Sequence, residues 1–475
     1  MNRNNIWIHV GVALILITMA AVLGQIHRWR AGLRPATSET RDVVRPVAKP
    51  TALKRSRAES EPEVLVRFKR GVTASRIERL AARNNDRVED RLELVNGLVA
   101  IDDMDDADAD TIANEYGRMT DLVEYAHPNY EIEADIPEFH ELQDGHDEPG
   151  LESPNDPHFA DQWALNNDGR NGGKKRADVD ALKAWQTSKG SEDVVVAVLD
   201  TGVDYTHPDL VSNIWIRPDS IPAYSDPQLG TFNDLRGFNA SDNLADPMDD
   251  NGHGTHCAGV IGAEGDNEIG IAGVNWNVRI MPLKFLGRGG FGSTKDAIEA
   301  INYAIDRKKK GVNVRVISAS WGSTQKSKAL EDAIRAAGEA GILFVAAAGN
   351  SSTDNDRRPH FPSNYDLPNV ISVAALDNSD LLASFSNFGS KTVHVAAPGK
   401  QIVSTWLNES YREASGTSMA TPHVAGVAAL IIANEPDITV KELRERILRS
   451  IDPIDLLNGK IFSSGRINAA RALGN

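Results

Sequence analysis

Four polar residues stand where elements begin or end, in segments whose residue types suit acyl transfer. Asp200 closes an apolar run in Val198-Leu199-Asp200-Thr201-Gly202-Val203-Asp204. His253 lies in Asn251-Gly252-His253-Gly254-Thr255-His256-Cys257-Ala258-Gly259, and Asn350 closes Ala346-Ala347-Ala348-Gly349-Asn350. Ser418 opens a helical pattern in Gly416-Thr417-Ser418-Met419-Ala420-Thr421-Pro422-His423-Val424-Ala425-Gly426. A serine at a helix start exposes its hydroxyl and carries an N–H without an intrahelical partner, in a dipole field that favours developing negative charge. Pro422 suits an early helical turn, where its missing N–H costs little. The hydroxyl is a weak nucleophile and needs a base, for which His253 is the candidate. Asp200 would fix the histidine tautomer and stabilise the imidazolium. The Asn350 amide, beside the Ser418 N–H, would donate to the oxyanion, a contribution of about 3–4 kcal/mol to the barrier.

The order Asp, His, Ser along the chain, with Asp-Thr-Gly-Val-Asp, Gly-His-Gly-Thr-His-Cys-Ala-Gly, Ala-Ala-Gly-Asn and Gly-Thr-Ser-Met-Ala-Thr-Pro-His-Val-Ala-Gly, resembles the subtilases, the subtilisin-like serine proteases, including thermitase- and fervidolysin-like members. The resemblance runs from about Asn155 to Leu473. It implies a catalytic triad of Asp200, His253 and Ser418, with Asn350 as oxyanion donor. It also implies two extended segments that flank a polypeptide substrate and pair with its backbone, Gly290-Phe291-Gly292 and Ser320-Trp321-Gly322. Trp321 and Ala347-Ala348-Gly349 suggest an apolar first pocket, with Phe291 as an apolar rim, and hence a broad endopeptidase of mild apolar preference. By the same resemblance a structural calcium ion would be held by Asp156, Asp209 and Asn267 with carbonyls of Glu264, Ile269 and Ile271. Asp266 is a substitute for Asn267, and Asp242, Asp246 and Asp249 form a weaker second oxygen-rich loop. The alternative is a catalytically inactive subtilase-fold scaffold that binds peptides, although no catalytic position is substituted.

These residues need elements to hold them. Val194 to Leu199 reads as a buried strand from its length and β-branched content. Similar runs are 279–285, 314–319, 342–346, 370–374 and 393–396, with helical patterns at 294–309, 329–340 and 418–433 between them. The expected fold is α/β, a three-layer subtilisin-like domain over 154–475 with a mostly parallel sheet, and sites at the carboxyl ends of its strands. Ahead of it, 62–134 alternates as strand 64–68, helix 75–84, strands 87–92 and 94–101, helix 107–119 and strand 122–130. That βαββαβ order predicts a small ferredoxin-like α+β unit of about 70 residues. The family resemblance makes it an inhibitory propeptide, the protein's own intramolecular inhibitor and the mark of a zymogen. Residues 135–153 are acidic and Pro-rich, an exposed processing linker in which self-cleavage is expected.

Residues 6–23 are almost continuously apolar, long enough to cross a bilayer, with Arg3 before them and Arg28, Arg30 and Arg34 after. A cleaved signal peptide ending near Gly24 and an uncleaved membrane anchor both fit, so the rest is expected to be exported, to the envelope or beyond it. Residues 25–61 read as a disordered basic linker. The net charge of −16 argues against a nucleic-acid partner, and the lone Cys257 excludes an internal disulfide. His256, His423 and Cys257 read as packed helix residues rather than catalysts. Gly287-Arg288-Gly289-Gly290-Phe291-Gly292 matches a dinucleotide-binding glycine pattern, yet the acid such a site requires at the next strand end is absent, since Asp306 falls in the helix.

Overall fold

Alternation within one apolar run sets the architecture. Residues 194–199 are all buried, and successive strand side chains point to opposite faces. Val194, Val196 and Val198 join one core cluster, and Val195, Ala197 and Leu199 a second. A strand buried on both faces requires a helical layer on each side. The computed structural model describes residues 64–93, 95–105, 107–135, 153–228 and 230–474, with 138–141 by their backbone. The apolar stretch 6–23, the basic linker 25–61 and most of the acidic linker lie outside the described residues. Among the described residues no helix is long and apolar enough to cross a membrane.

Gly190–Asp200 lies third in a nine-stranded sheet. Phe238–Asn239 and Asn277–Lys284 lie on one side of it. Val314–Ala319, Leu343–Ala347, Val370–Leu376, Val395–Pro398 and Gly465–Ile467 lie on the other. All these pairings are parallel, and Ile451–Pro453 closes the edge antiparallel. The chain leaves Gly190–Asp200 first to one side and then to the other. A crevice therefore opens at the carboxyl ends of the strands where the order reverses. Helices His253–Gly262 and Thr417–Asn434 cover one face, and Thr294–Lys309 and Lys328–Glu339 the other. Residues 417–432 are buried on every side, as expected of a helix apolar all round that passes through a core.

Four antiparallel strands form the smaller unit, in the spatial order Asp86–Arg91, Leu98–Asp103, Val64–Phe68, Val123–Pro128. With helices Ala74–Arg83 and Ala109–Gly117 this is the expected ferredoxin-like arrangement. One strand begins later than the alternation from Leu94 suggests. Gly97 has φ +83° and its carbonyl accepts from the Phe68 N–H at 2.8 Å, so Asn96-Gly97 is the turn before the strand rather than a break within it. The dinucleotide pattern is a turn leading into the short strand Phe291–Ser293, and Asp306 is bonded to Arg307 on the following helix.

Candidate active site

Asp200 is the last residue of its strand and His253 the first of its helix. The loop before that helix is wound on Asp249, whose carboxylate accepts from the N–H groups of Asn251, Gly252 and Thr255 and from the Thr255 hydroxyl at 2.6–3.0 Å. Asp249 therefore shapes the turn that aims His253 and is not a free metal ligand. Gly254 lets the helix start approach the strand end, because a Cβ there would lie 2.1 Å from the Gly202 carbonyl oxygen. His253 Nδ1 and Asp200 Oδ1 are 2.7 Å apart, both side chains almost fully buried. Burial pulls the imidazole pKa down, but the Asp200 carboxylate outweighs it, with Asp249 and Asp135 adding, and the net shift is upward. Nε2 is buried and has no hydrogen-bond partner among the described residues.

Ser418 is the second residue of its helix, so its N–H is among the unpaired first four. Its Oγ lies 2.9 Å from the Asp135 carbonyl oxygen and 3.2 Å from that of Ser320, with no hydrogen bond to His253 Nε2. Asn350 Oδ1 accepts from the Thr417 N–H at 2.8 Å and from its hydroxyl at 2.9 Å. Those bonds orient the amide, and Nδ2 points at the same Asp135 oxygen at 3.4 Å. Pro422 sits deeper than its sequence position suggested, as the sixth helical residue. Its missing N–H leaves the Ser418 carbonyl without the usual donor four residues on. The Ser320 hydroxyl, at 2.9 Å, and the Cys257 thiol, at 3.6 Å, fill that place.

The two expected walls enclose the protein's own chain. Glu131–Ala134 is the central strand of three, antiparallel to Phe291–Ser293 on one side and to Trp321–Gly322 on the other. Gly290 contributes its carbonyl to the Ala134 N–H at 2.8 Å. Beyond Asp135, backbone 138–141 pairs antiparallel with Ser410–Ser415. Trp321 contributes only its backbone to the wall. Its ring is fully buried against Phe285, and its Nε1 donates to the Leu199 carbonyl at 2.8 Å, so it does not line an apolar first pocket.

A sequence profile of the subtilase family matches residues 191–469. The chain is a subtilase. It is 36% identical over 419 residues to a thermophilic serine proteinase of Bacillus sp. strain AK1, covering 86% of this chain and 87% of that one. It is also 36% identical over 321 residues to thermitase of Thermoactinomyces vulgaris, covering 68% of this chain and 99% of that one. Among solved structures it shares its fold with fervidolysin of Fervidobacterium pennivorans, described as a keratinolytic enzyme related to subtilisin. The TM-score is 0.65 at 24% identity, over 88% of this chain and 61% of that one. This subtilase is thus a subtilisin-like serine peptidase, an enzyme class whose substrates are polypeptides.

Away from the crevice, this subtilase buries Asp156 and Asp209 completely. Asp156 Oδ2 accepts from the Asp266 N–H at 2.8 Å, while Oδ1 is buried without a partner among the described residues. Asp209 accepts from Asn267 Nδ2 and the Ile271 N–H, both at 2.9 Å. Burial first, and then the nearby Asp156 charge, pushes the Asp209 carboxyl up to about 7. Asn267 presents its amide nitrogen to Asp209, and its oxygen accepts from the Ile269 N–H, so here it positions Asp209 rather than offering an oxygen. Glu264 bonds Ser212 through its side chain and lies beside Asp209 through its backbone. Asp266 accepts from the Asn155 N–H, while Asp242 and Asp246 bond loop neighbours. His256 and His423 face main-chain carbonyls, and burial lowers their imidazoles to about 3 and about 4. Both are packed helix residues.

Two participants were not singled out by the sequence reading. Thr417 orients Asn350, and Asp135 ends the segment lying in the crevice. Only the helix-opening Gly-Thr-Ser pattern hinted at the first.

Proposed function

We propose that this subtilase is a serine endopeptidase acting through an acyl-enzyme on Ser418, made as a zymogen inhibited by residues 62–134. The observation that carries the reading is the Asp135 carbonyl oxygen, faced at once by Ser418 Oγ and Asn350 Nδ2. In this mechanism rotation of the serine side chain brings Oγ to His253 Nε2, which takes its proton as Oγ attacks the carbonyl carbon. Asn350 Nδ2 and the Ser418 N–H hold the oxyanion. The bond to the next residue's nitrogen breaks, that nitrogen receives the proton from His253, and water releases the acid in a second cycle. Asp135–Ile136 is accordingly the bond cut when the enzyme matures itself. A fluorophosphonate that labels wild type at Ser418 tests the reading; a protein that takes no label and cuts no peptide overturns it.

Contacts of the smaller unit support its inhibitory role. It seats on the open start of helix Thr294–Lys309: the Tyr130 carbonyl accepts from the Thr294 N–H, and Asn129 Oδ1 from that of Lys295, both at 2.9 Å. Asp90 inserts beside Lys295 at 3.4 Å, next to the buried Glu299. Burial first, and then Asp90, holds the Glu299 carboxyl well above the usual carboxylate range, with Lys295 opposing. Docking Asp90 there favours protonated Glu299, so association takes up a proton and weakens as pH rises. Activity should emerge faster from the cut but still associated complex as pH rises through the raised Glu299 pKa. Asp90→Asn should flatten that dependence in an assay of lag time.

A structural calcium ion is proposed at Asp156 and Asp209, with the carbonyls of Glu264, Ile269 and Ile271. The two buried acids and the orphaned Asp156 Oδ1 fit a hard cation with oxygen ligands. Chelator should lower Tm and added calcium restore it, a stabilisation of about 3–4 kcal/mol at a calcium concentration several hundredfold above Kd; an unchanged Tm would remove the ion from the account. Export through residues 6–23 is likewise proposed, as cleaved signal or retained anchor, and intact masses from membrane and medium separate the two.

A further inference from the structure

The Asp135 carbonyl stands at the nucleophile, so the Asp135 side chain occupies the pocket that takes the residue on the acyl side of the scissile bond. That pocket is not apolar. The Asp135 carboxylate is 13% exposed, and its Oδ1 lies 3.6 Å from His360 Nε2, whose side chain is 12% exposed. Such a separation exceeds a hydrogen bond but lies within ion-pair range. Oδ2 is buried without a partner among the described residues.

The imidazole is built into the walls. A Cβ at Gly322 would lie 2.0 Å from His360 Cε1, and one at Gly349 would lie 3.0 Å from Cδ2. The two glycines flanking the first pocket thus leave room for this ring and for little else. Its far nitrogen, Nδ1, faces the hydroxyl of buried Ser363 at 3.4 Å. That hydroxyl donates its own proton to the His360 carbonyl at 2.7 Å, so toward Nδ1 it can only accept. With a carboxylate opposite Nε2, both ring nitrogens face oxygen acceptors. The His360 N–H, donating to Asn364 Oδ1 at 3.2 Å, holds the loop that carries the ring.

We propose that this enzyme selects an acidic residue, Asp or Glu, on the acyl side of the bond it cuts, and that His360 is the specificity-determining residue. The inference rests on the serine-protease reading of Ser418. Quenched peptides spanning residues 131–141, with Asp, Glu, Asn or Leu at position 135, are cut by mature wild type and His360→Leu. Wild type should favour Asp over Leu and over Asn by at least about tenfold in kcat/KM, the comparison with Asn separating charge from shape. His360→Leu should invert the Asp-to-Leu ratio, and its cutting of the Leu peptide reports that it is folded. Equal or faster cutting of Leu by wild type, or an acidic preference that survives in His360→Leu, overturns the assignment. Fluorophosphonate labelling of the same preparations keeps the two readings apart. A labelled enzyme without acidic preference sinks the pocket assignment alone, whereas a protein that neither labels nor cuts sinks the protease reading and this inference with it.

Discussion

A Ser418→Ala protein is expected to accumulate as the uncut chain, take no fluorophosphonate label and lose about 10⁴- to 10⁶-fold in kcat, the scale set by triad removal in subtilisin. The substitution removes only the hydroxyl, whose bonds to the Asp135 and Ser320 carbonyls contribute about 1 kcal/mol, so the fold should persist. The Ser418 carbonyl keeps its Ser320 donor, and the helix start is undisturbed. N-terminal sequencing separates self-cleavage from cleavage by another protease. Wild type should begin at Ile136 or further on, whereas the variant should keep residues 64–135 attached. A variant that matured identically would show that another enzyme makes the cut.

Asn350→Leu should lower kcat by about 10²- to 10³-fold with KM little changed, because the amide meets charge that develops only in the transition state. Subtilisin again sets that scale. The substitution also strips the acceptor from the Thr417 N–H and hydroxyl, so a stability loss of about 1–3 kcal/mol should accompany it. Asn350→Asp separates the two effects. It keeps an oxygen for Thr417 and so should keep much of the Tm, yet it sets a carboxylate where an anion must form. Its activity should fall at least as far as that of Asn350→Leu. Retained kcat in Asn350→Asp, measured with Tm on the same samples, would exclude Asn350 as the oxyanion donor.

Much of the fold was legible in the chain itself. The β-branched run before Asp200 predicts a strand buried on both faces, and the two core clusters divide its side chains as period two requires. The glycine, histidine and serine motifs mark the strand end and helix starts where Asp200, His253 and Ser418 stand, because those signals are local. Local signals also misled. Trp321 reads as a pocket wall by its place in the motif, but its indole is in the core, bonded to the Leu199 carbonyl. Pro422 reads as a first-turn proline, yet it sits one turn in, where Ser320 and Cys257 supply the donors it lacks.

The sequence by itself determined the alternation of strands and helices and the set of groups available for acyl transfer. The resemblance implied that the propeptide's tail lies in the crevice; the tertiary structure alone decided which residues of it do, and what the first pocket offers. Strand addition uses backbone groups that every residue carries, so no residue pattern announced Glu131–Ala134 as the occupant. His360 meets Asp135 across the crevice from a loop with no motif, through space left by Gly322 and Gly349. Contacts of that kind depend on which distant segments share a volume, and spacing along the chain carries no record of it.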